Sequence, residues 1–307
     1  MALQKEVWIS DIQENLFANN EFINRATDHS MWISNKTVHV PQAGANPSVK
    51  KNRTVLPAAI SQRTDTDLTY DMAEYTTDPI LLTNLEELQI NYAKRQSVLS
   101  QHVATLGDVI GNQTLYAWAP AGAGTYRKTT GSAVSSALAP TATSTRLAIT
   151  LADIAAAKGI LDSQNVPQSG RVLVMPSDIY NAQMLAISDF VQAQSYGTSG
   201  LPSGAIGRIF GFDIVLRPSV VVYDNSGTPA LKAVDADGTP TTEATTDNMA
   251  CLAFHPSFVC KAMGTTDVFY DEDKPEYYGS VFSALVMHGA AKLRTDQKGI
   301  VAIVQAN

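Results

Sequence analysis

The chain has 307 residues, of which 45% are hydrophobic and only 17% charged, with 19 glycines and 14 prolines, which suits an ordered, loop-rich α/β protein and excludes a disordered one. Its 29 acidic and 22 basic residues give a net charge of −7, the wrong sign for a protein whose main work is coating nucleic acid. Two cysteines, Cys251 and Cys260, exclude a disulfide scaffold and an all-cysteine metal site and read as buried thiols; no segment approaches the ~18 apolar residues of a membrane span, and nothing resembles a secretory signal, so the expectation is synthesis in the cytosol.

In chain order, Leu3, Val7, Trp8, Ile12, Leu16 and Phe17 form one apolar helical stripe, and Trp32 follows a polar gap, so residues 1 to 35 read as an arm with one or two short helices. From Val38 the pattern becomes an alternating strand, broken near Gly44. The segment Asp67-Leu-Thr-Tyr-Asp-Met72 reads as its returning partner. Charge is sorted between these legs. Residues 36 to 64 carry Lys36, Lys50, Lys51, Arg53 and Arg63 and no acid, whereas 65 to 87 carry Asp65, Asp67, Asp71, Glu74, Asp78, Glu86 and Glu87 and no base. Either these are two solvated faces, or the legs meet opposite charges on neighbouring subunits, since an isolated hairpin is barely stable alone.

Residues 84 to 118 follow helical spacing through Leu85, Leu88, Tyr92, Leu99, Val103, Leu106 and Ile110, opened by a capping-box pair, Thr83 and Glu86, with Gly107 and Gly111 as candidate bends. The stretch from Pro120 to about 145, rich in Ala, Gly, Ser and Thr, reads as an exposed loop. Thr150 to Asp153 opens a short helix, Arg171 to Met175 reads as a buried strand, and Pro176 starts another helix. Gly204, Gly207 and Gly211 lead into a strand at Phe212 to Leu216. Residues 223 to 248 read as a polar excursion, and strands return at 249–254, 266–270, 280–288 and 299–304.

Chemistry is hard to find along this chain. The glycines at 204, 207 and 211 lack dinucleotide-turn spacing and precede a strand, and no P-loop Lys follows them. His29, His39, His102, His255 and His288 are scattered, with no pair at metal-ligating spacing. Ser48 and Lys51 match only a fragment of a nucleophile motif. Asp235-Ala-Asp-Gly238 and Asp271-Glu-Asp273 lack the full calcium-loop pattern and read as solvated turns. No cofactor, metal site or catalytic set is expected.

This order of elements resembles the major capsid proteins of tailed double-stranded-DNA bacteriophages. Four stretches carry the likeness: Lys36-Thr-Val-His-Val-Pro41, Arg171-Val-Leu-Val-Met-Pro-Ser-Asp-Ile-Tyr180, Gly204 to Val215, and Ala250-Cys-Leu-Ala-Phe-His255. The resemblance implies an α+β fold of the Hong Kong 97 type: an N-terminal arm (1–35), an extended β-hairpin loop (36–82), a peripheral domain with spine helix and following loop (83–145) and returning sheet (249–307), and an axial domain (146–248). It further implies self-assembly into homo-hexamers and pentamers of an icosahedral virion shell around packaged DNA, built in the host cytoplasm. Expected companions are a separate scaffolding protein or none, a portal, and decoration or minor capsid proteins. Residues expected at subunit interfaces are Trp8, Trp32, Lys36, Lys50, Lys51, Arg53, Arg63, Asp65, Asp67, Asp71, Glu74 and Arg208. Some members of that family join a loop Lys to an Asn of the neighbour, a role open to Lys50 or Lys51 beside plain salt contacts. Two alternatives stay open: an encapsulin-type shell around protein cargo, and a soluble α/β ligand-binding protein.

Overall fold

The run Arg171–Pro176 is buried along its whole length, so it needs apolar cover on both faces, and the fold supplies two cores to do it. The computed structural model describes the chain apart from residues 1–19, 45–46, 55, 59, 61, 84–93, 122–123, 188–205 and 225–226, and apart from the side chains of 94–97, 272 and 273. Arg171–Pro176 lies within an eight-stranded sheet, parallel to Phe212–Arg217 and antiparallel to the wholly buried Asp247–Phe254. Ile300–Val304 runs along the other side of Asp247–Phe254 and takes Tyr126–Lys128 as a parallel neighbour.

Side chains alternate between the two faces of this sheet with the period of two that a strand dictates. Val172, Val174, Val215, Leu252, Phe254 and Ala302 enter one core with the long helix Lys94–Trp118. Leu173, Met175, Ile214, Cys251, Ala253 and Val301 enter the other, beneath the helix Leu151–Ser163. That helix starts on Thr150, whose hydroxyl accepts from the Asp153 amide while Asp153 accepts from the Thr150 amide, a complete capping box.

A second sheet of five strands is dominated by the long ribbon Val259–Lys274 and Gly279–Lys292, edged by Thr27–Asp28 on one side and by Ala73–Thr76 and Ile80–Thr83 on the other. The long helix lies across it. Trp118 closes the helix in full burial, its indole N–H donating to the Cys260 carbonyl (3.0 Å), with Phe22 edge-on to its ring. The helix runs without interruption through Gly107 and Gly111. At Gly111 a Cβ would stand 2.1 Å from Nη1 of Arg217 and 2.5 Å from Oδ1 of Asn20, so this glycine admits a buried guanidinium against the helix. The capping pair at 83 and 86, and Leu85, Leu88 and Tyr92, involve residues outside those described.

Several sequence expectations need correction. The stretch 121–145 is no plain exposed loop: Tyr126–Lys128 adds a strand to the main sheet, and Thr125, Thr129 and Ala139 are buried. The excursion 223–248 is packed, because Lys232 and Asp247 form a buried ion pair at 2.7 Å and Gly238 sits against the long helix. Arg146 knits both segments, donating to Asn248 and to the carbonyls of Thr143, Thr145, Thr245 and Asp247. The described end of the arm docks on its own chain, with Phe22 and Ile23 buried in the helix core and the Asn20 side chain donating to the Gly107 carbonyl. A further strand precedes Phe212: Gly207–Ile209 pairs with Phe212–Arg217 through a two-residue turn, Phe210 (φ 48°) and Gly211 (φ 88°), the positive pair of a type I′ hairpin, while Gly204 lies outside the described residues.

Candidate assembly surfaces

The extended hairpin is anchored at its base and bare at its tip. Thr37–Gln42 and Thr66–Asp71 pair antiparallel over six residues, from Thr37 opposite Asp71 to Gln42 opposite Thr66. Val38 and Val40 point inward and join Met72 and Ala262 in a small core of their own, while the Gln42 side chain donates to the Leu293 carbonyl. Between Gln42 and Thr66 no described residue is in a strand, and Val49, Leu56 and Ile60 are 92%, 78% and 99% exposed. Three large aliphatic side chains in water on one loop have no role in a lone subunit's core.

The charge sorting resolves into two groups. Across the hairpin base Lys36 pairs with Glu74, the Thr37 hydroxyl donates to Asp71, and His39 meets Asp67 at 2.8 Å. Arg63 pairs with Asp65 at 2.6 Å, and the Gly44 amide also donates to that carboxylate; these bonds hold Asp65 below the usual carboxylate range. Six of the residues expected to meet neighbours therefore already have partners within the chain, in exposed contacts that solvent screens. Lys50, Lys51 and Arg53 are exposed and form no ion pair among the described residues, so the positive charge left over is concentrated at the tip.

Of the remaining expected contacts, Trp32 is half exposed and stacks on His29 with ring centroids 4.7 Å apart, beside the bare side chain of Met31. Arg208 reaches Asp213 across its hairpin at 2.8 Å, and Arg25 approaches the same buried carboxylate at 3.3 Å, so Arg208 has a cis partner. Trp8 lies outside the described residues. Sequence reading missed further exposed aromatics on the outer part of the long ribbon, Phe269, Tyr277 and Tyr278, because alternation marks a strand without telling which of its faces stays bare. There Asp271 pairs with Lys274 at 2.6 Å. Asp237 accepts from the Thr239 amide and hydroxyl, closing a turn.

Burial holds the two thiols and His288 in their neutral forms. Burial pushes the Cys260 thiol up to about 11 and Cys251 higher still, the opposite of an activated nucleophile. Burial, with the Lys261 charge adding to it, pushes His288 down to about 3. Among the described residues no three His, Cys, Asp or Glu side chains group as metal ligands, and no helix is long and apolar enough to cross a membrane.

No protein-family model matches this sequence, and no curated protein matches it. Solved structures do. The chain is similar to the capsid of Ralstonia phage GP4 (TM-score 0.64, 12% identity, 92% of this chain and 87% of that one) and to the capsid of the cyanophage P-SCSP1u (0.60, 16%, 91% and 86%). It is also similar to a structure from Mycobacterium phage Che8 (0.58, 20%, 92% and 90%). The chain has the α+β fold of tailed-phage capsid structures, the Hong Kong 97 type expected from its sequence.

Proposed function

With that fold as premise, we propose that the chain is the major capsid protein of a tailed phage, a structural subunit with no enzymatic task, which associates with copies of itself as hexamers and pentamers of an icosahedral head shell. The observation that carries this reading is the extended hairpin: its base is built into the body, while its tip carries Val49, Leu56, Ile60, Lys50, Lys51 and Arg53 with nothing of its own chain to cover them among the described residues. Ordering such a loop costs ~1–2 kcal/mol per residue, which a polar tip recovers only against a neighbour. Closed symmetry repeats each weak contact many times and makes the shell stable. The negative net charge suits a wall that confines DNA without gripping it.

In this reading, residues 1–35 are the arm, 36–82 the loop whose tip binds an adjacent subunit, 83–145 and 249–307 the peripheral part, and 146–248 the axial part. Assembly takes place in the host cytoplasm, with a scaffolding protein, portal and decoration or minor proteins as companions. The test is electron microscopy of the purified chain: shells or ring-shaped capsomers are expected, and a monomer at every concentration and salt tried contradicts the proposal. Protein cargo in place of DNA inside native particles would move the assignment to an encapsulin-type compartment.

A further inference from the structure

A groove of about 660 Å³ opens between the edge strands Ala73–Thr76 and Ile80–Thr83, the long helix, and the turn at residues 235–238, within the ~300–1,000 Å³ range of sites that hold a ligand. Its apolar lining comes from Tyr75, Ile80, Leu106 and Val109, and its rim carries Asp78 and Asp237. Among the described lining residues there is no Lys or Arg. Asp78 is exposed and forms no ion pair among the described residues, and Asp237 accepts from the Thr239 amide and hydroxyl, so the rim offers two carboxylates that no Lys or Arg of the described lining meets. The other acid at the rim, Glu74, is already met by Lys36.

This surface is the chemical complement of the hairpin tip. The tip offers aliphatic Val49 and Leu56 interleaved with Lys50, Lys51 and Arg53; the groove offers an aliphatic and aromatic lining under two carboxylates. Within one chain the two do not meet, since Val49 and Leu56 stand in solvent. We infer that the groove is the seat of the hairpin tip of a second copy of this chain, with Val49 and Leu56 against the apolar lining and the basic side chains against Asp78 and Asp237. The inference rests on the shell reading above and specifies its contact. It also accounts for the two charge groups of the hairpin: Lys36 and Arg63 pair in cis with Glu74 and Asp65, and the basic side chains Lys50, Lys51 and Arg53 are kept for the neighbour.

The test is a charge reversal with rescue. Lys50→Glu with Lys51→Glu, or Asp78→Lys with Asp237→Lys, is expected to cut the yield of shells by about tenfold or more, because each places like charges in contact. The four changes together are expected to restore most of it. A second measurement stands if the aspartate variants fail to fold: Val49→Cys combined with Thr105→Cys on the groove's helix should give disulfide-linked dimers in assembled shells under mild oxidation, the native cysteines being buried. If the wild-type chain forms no assembly, the shell reading fails and the inference with it. If wild-type shells form but neither reversal lowers their yield, or the cysteine pair gives no intermolecular link, the groove assignment alone is overturned.

Discussion

The eight-stranded sheet and the extended hairpin obey the same alternation of side chains but end differently. In the sheet both faces are covered, Leu173 and Met175 by one core and Val172 and Val174 by the other. In the hairpin only the base is covered, by Val38, Val40, Met72 and Ala262, and the chain beyond Gln42 carries its apolar side chains into water. On the proposed reading the difference separates two tasks: the doubly covered sheet carries the subunit's stability, and the bare tip carries its assembly.

The contrast breaks most visibly at Trp118. Trp118→Ala removes a fully buried indole and its hydrogen bond to Cys260, and should cost ~3–5 kcal/mol in urea denaturation, whereas Ile60→Ser at the tip should change stability by less than ~0.5 kcal/mol. Equal effects would erase the distinction. Arg146→Leu comes next. It removes the guanidinium donors to four carbonyls and the Asn248 amide oxygen, of which the Thr245 carbonyl keeps the Thr143 amide, and a loss of ~2–4 kcal/mol is expected in the same assay.

Acid provides a third test. His288 has its folded-state value lowered to about 3, mainly by burial, against ~6.5 in an unfolded chain, so below pH ~6.5 the unfolded state takes up a proton that the folded state refuses. Stability supplied by neutral His288 is whole above pH ~6.5 and falls by up to ~1.4 kcal/mol per unit as pH drops toward 3. Urea midpoints measured from pH 7 to 5 should fall less steeply for His288→Gln than for the wild type; parallel slopes would place the acid sensitivity elsewhere.

The smallest effects come from two helix glycines. Propensity alone favours alanine at both. A Cβ added at Gly159 would meet nothing within 4 Å, so Gly159→Ala should stabilise by ~0.5–1 kcal/mol, while Gly111→Ala meets Arg217 and Asn20 and should destabilise by ~1 kcal/mol or more. Opposite signs from the same substitution would show that Gly111 is a packing residue.

These sites also mark what the sequence could and could not tell. Arg171–Pro176, Phe212–Arg217, the Thr150 cap and the two hairpin legs were legible because local pattern and final environment agree: continuous apolar residues for double burial, alternation for single burial, a hydroxyl and a carboxylate for a helix start. The segments 121–145 and 223–248 were not, because polar and small residues are buried there by long-range partners. Lys232 with Asp247, and Arg146 with carbonyls far along the chain, leave no periodic trace. Gly111 looked like a bend because sequence shows a missing side chain without showing what fills its place. In the candidate assembly surface, the basic tip was legible as charge, but its separation from the self-neutralised base required the pairing of Lys36 with Glu74 and Arg63 with Asp65. The acidic groove, assembled from three distant segments, had no linear signature.

The central claim of the proposed function is that the hairpin tip serves assembly and not folding. Because Gln42 stands opposite Thr66, replacing residues 43–65 by a two-residue Asn-Gly turn closes the hairpin while keeping the base strands and the edge strands Ala73–Thr76 and Ile80–Thr83. Sedimentation velocity of this variant beside the full-length chain tests the claim directly. The expected result is a folded variant with a wild-type urea midpoint that sediments without shells under conditions where the full-length chain forms them. Shells of wild-type size from the shortened hairpin would contradict it.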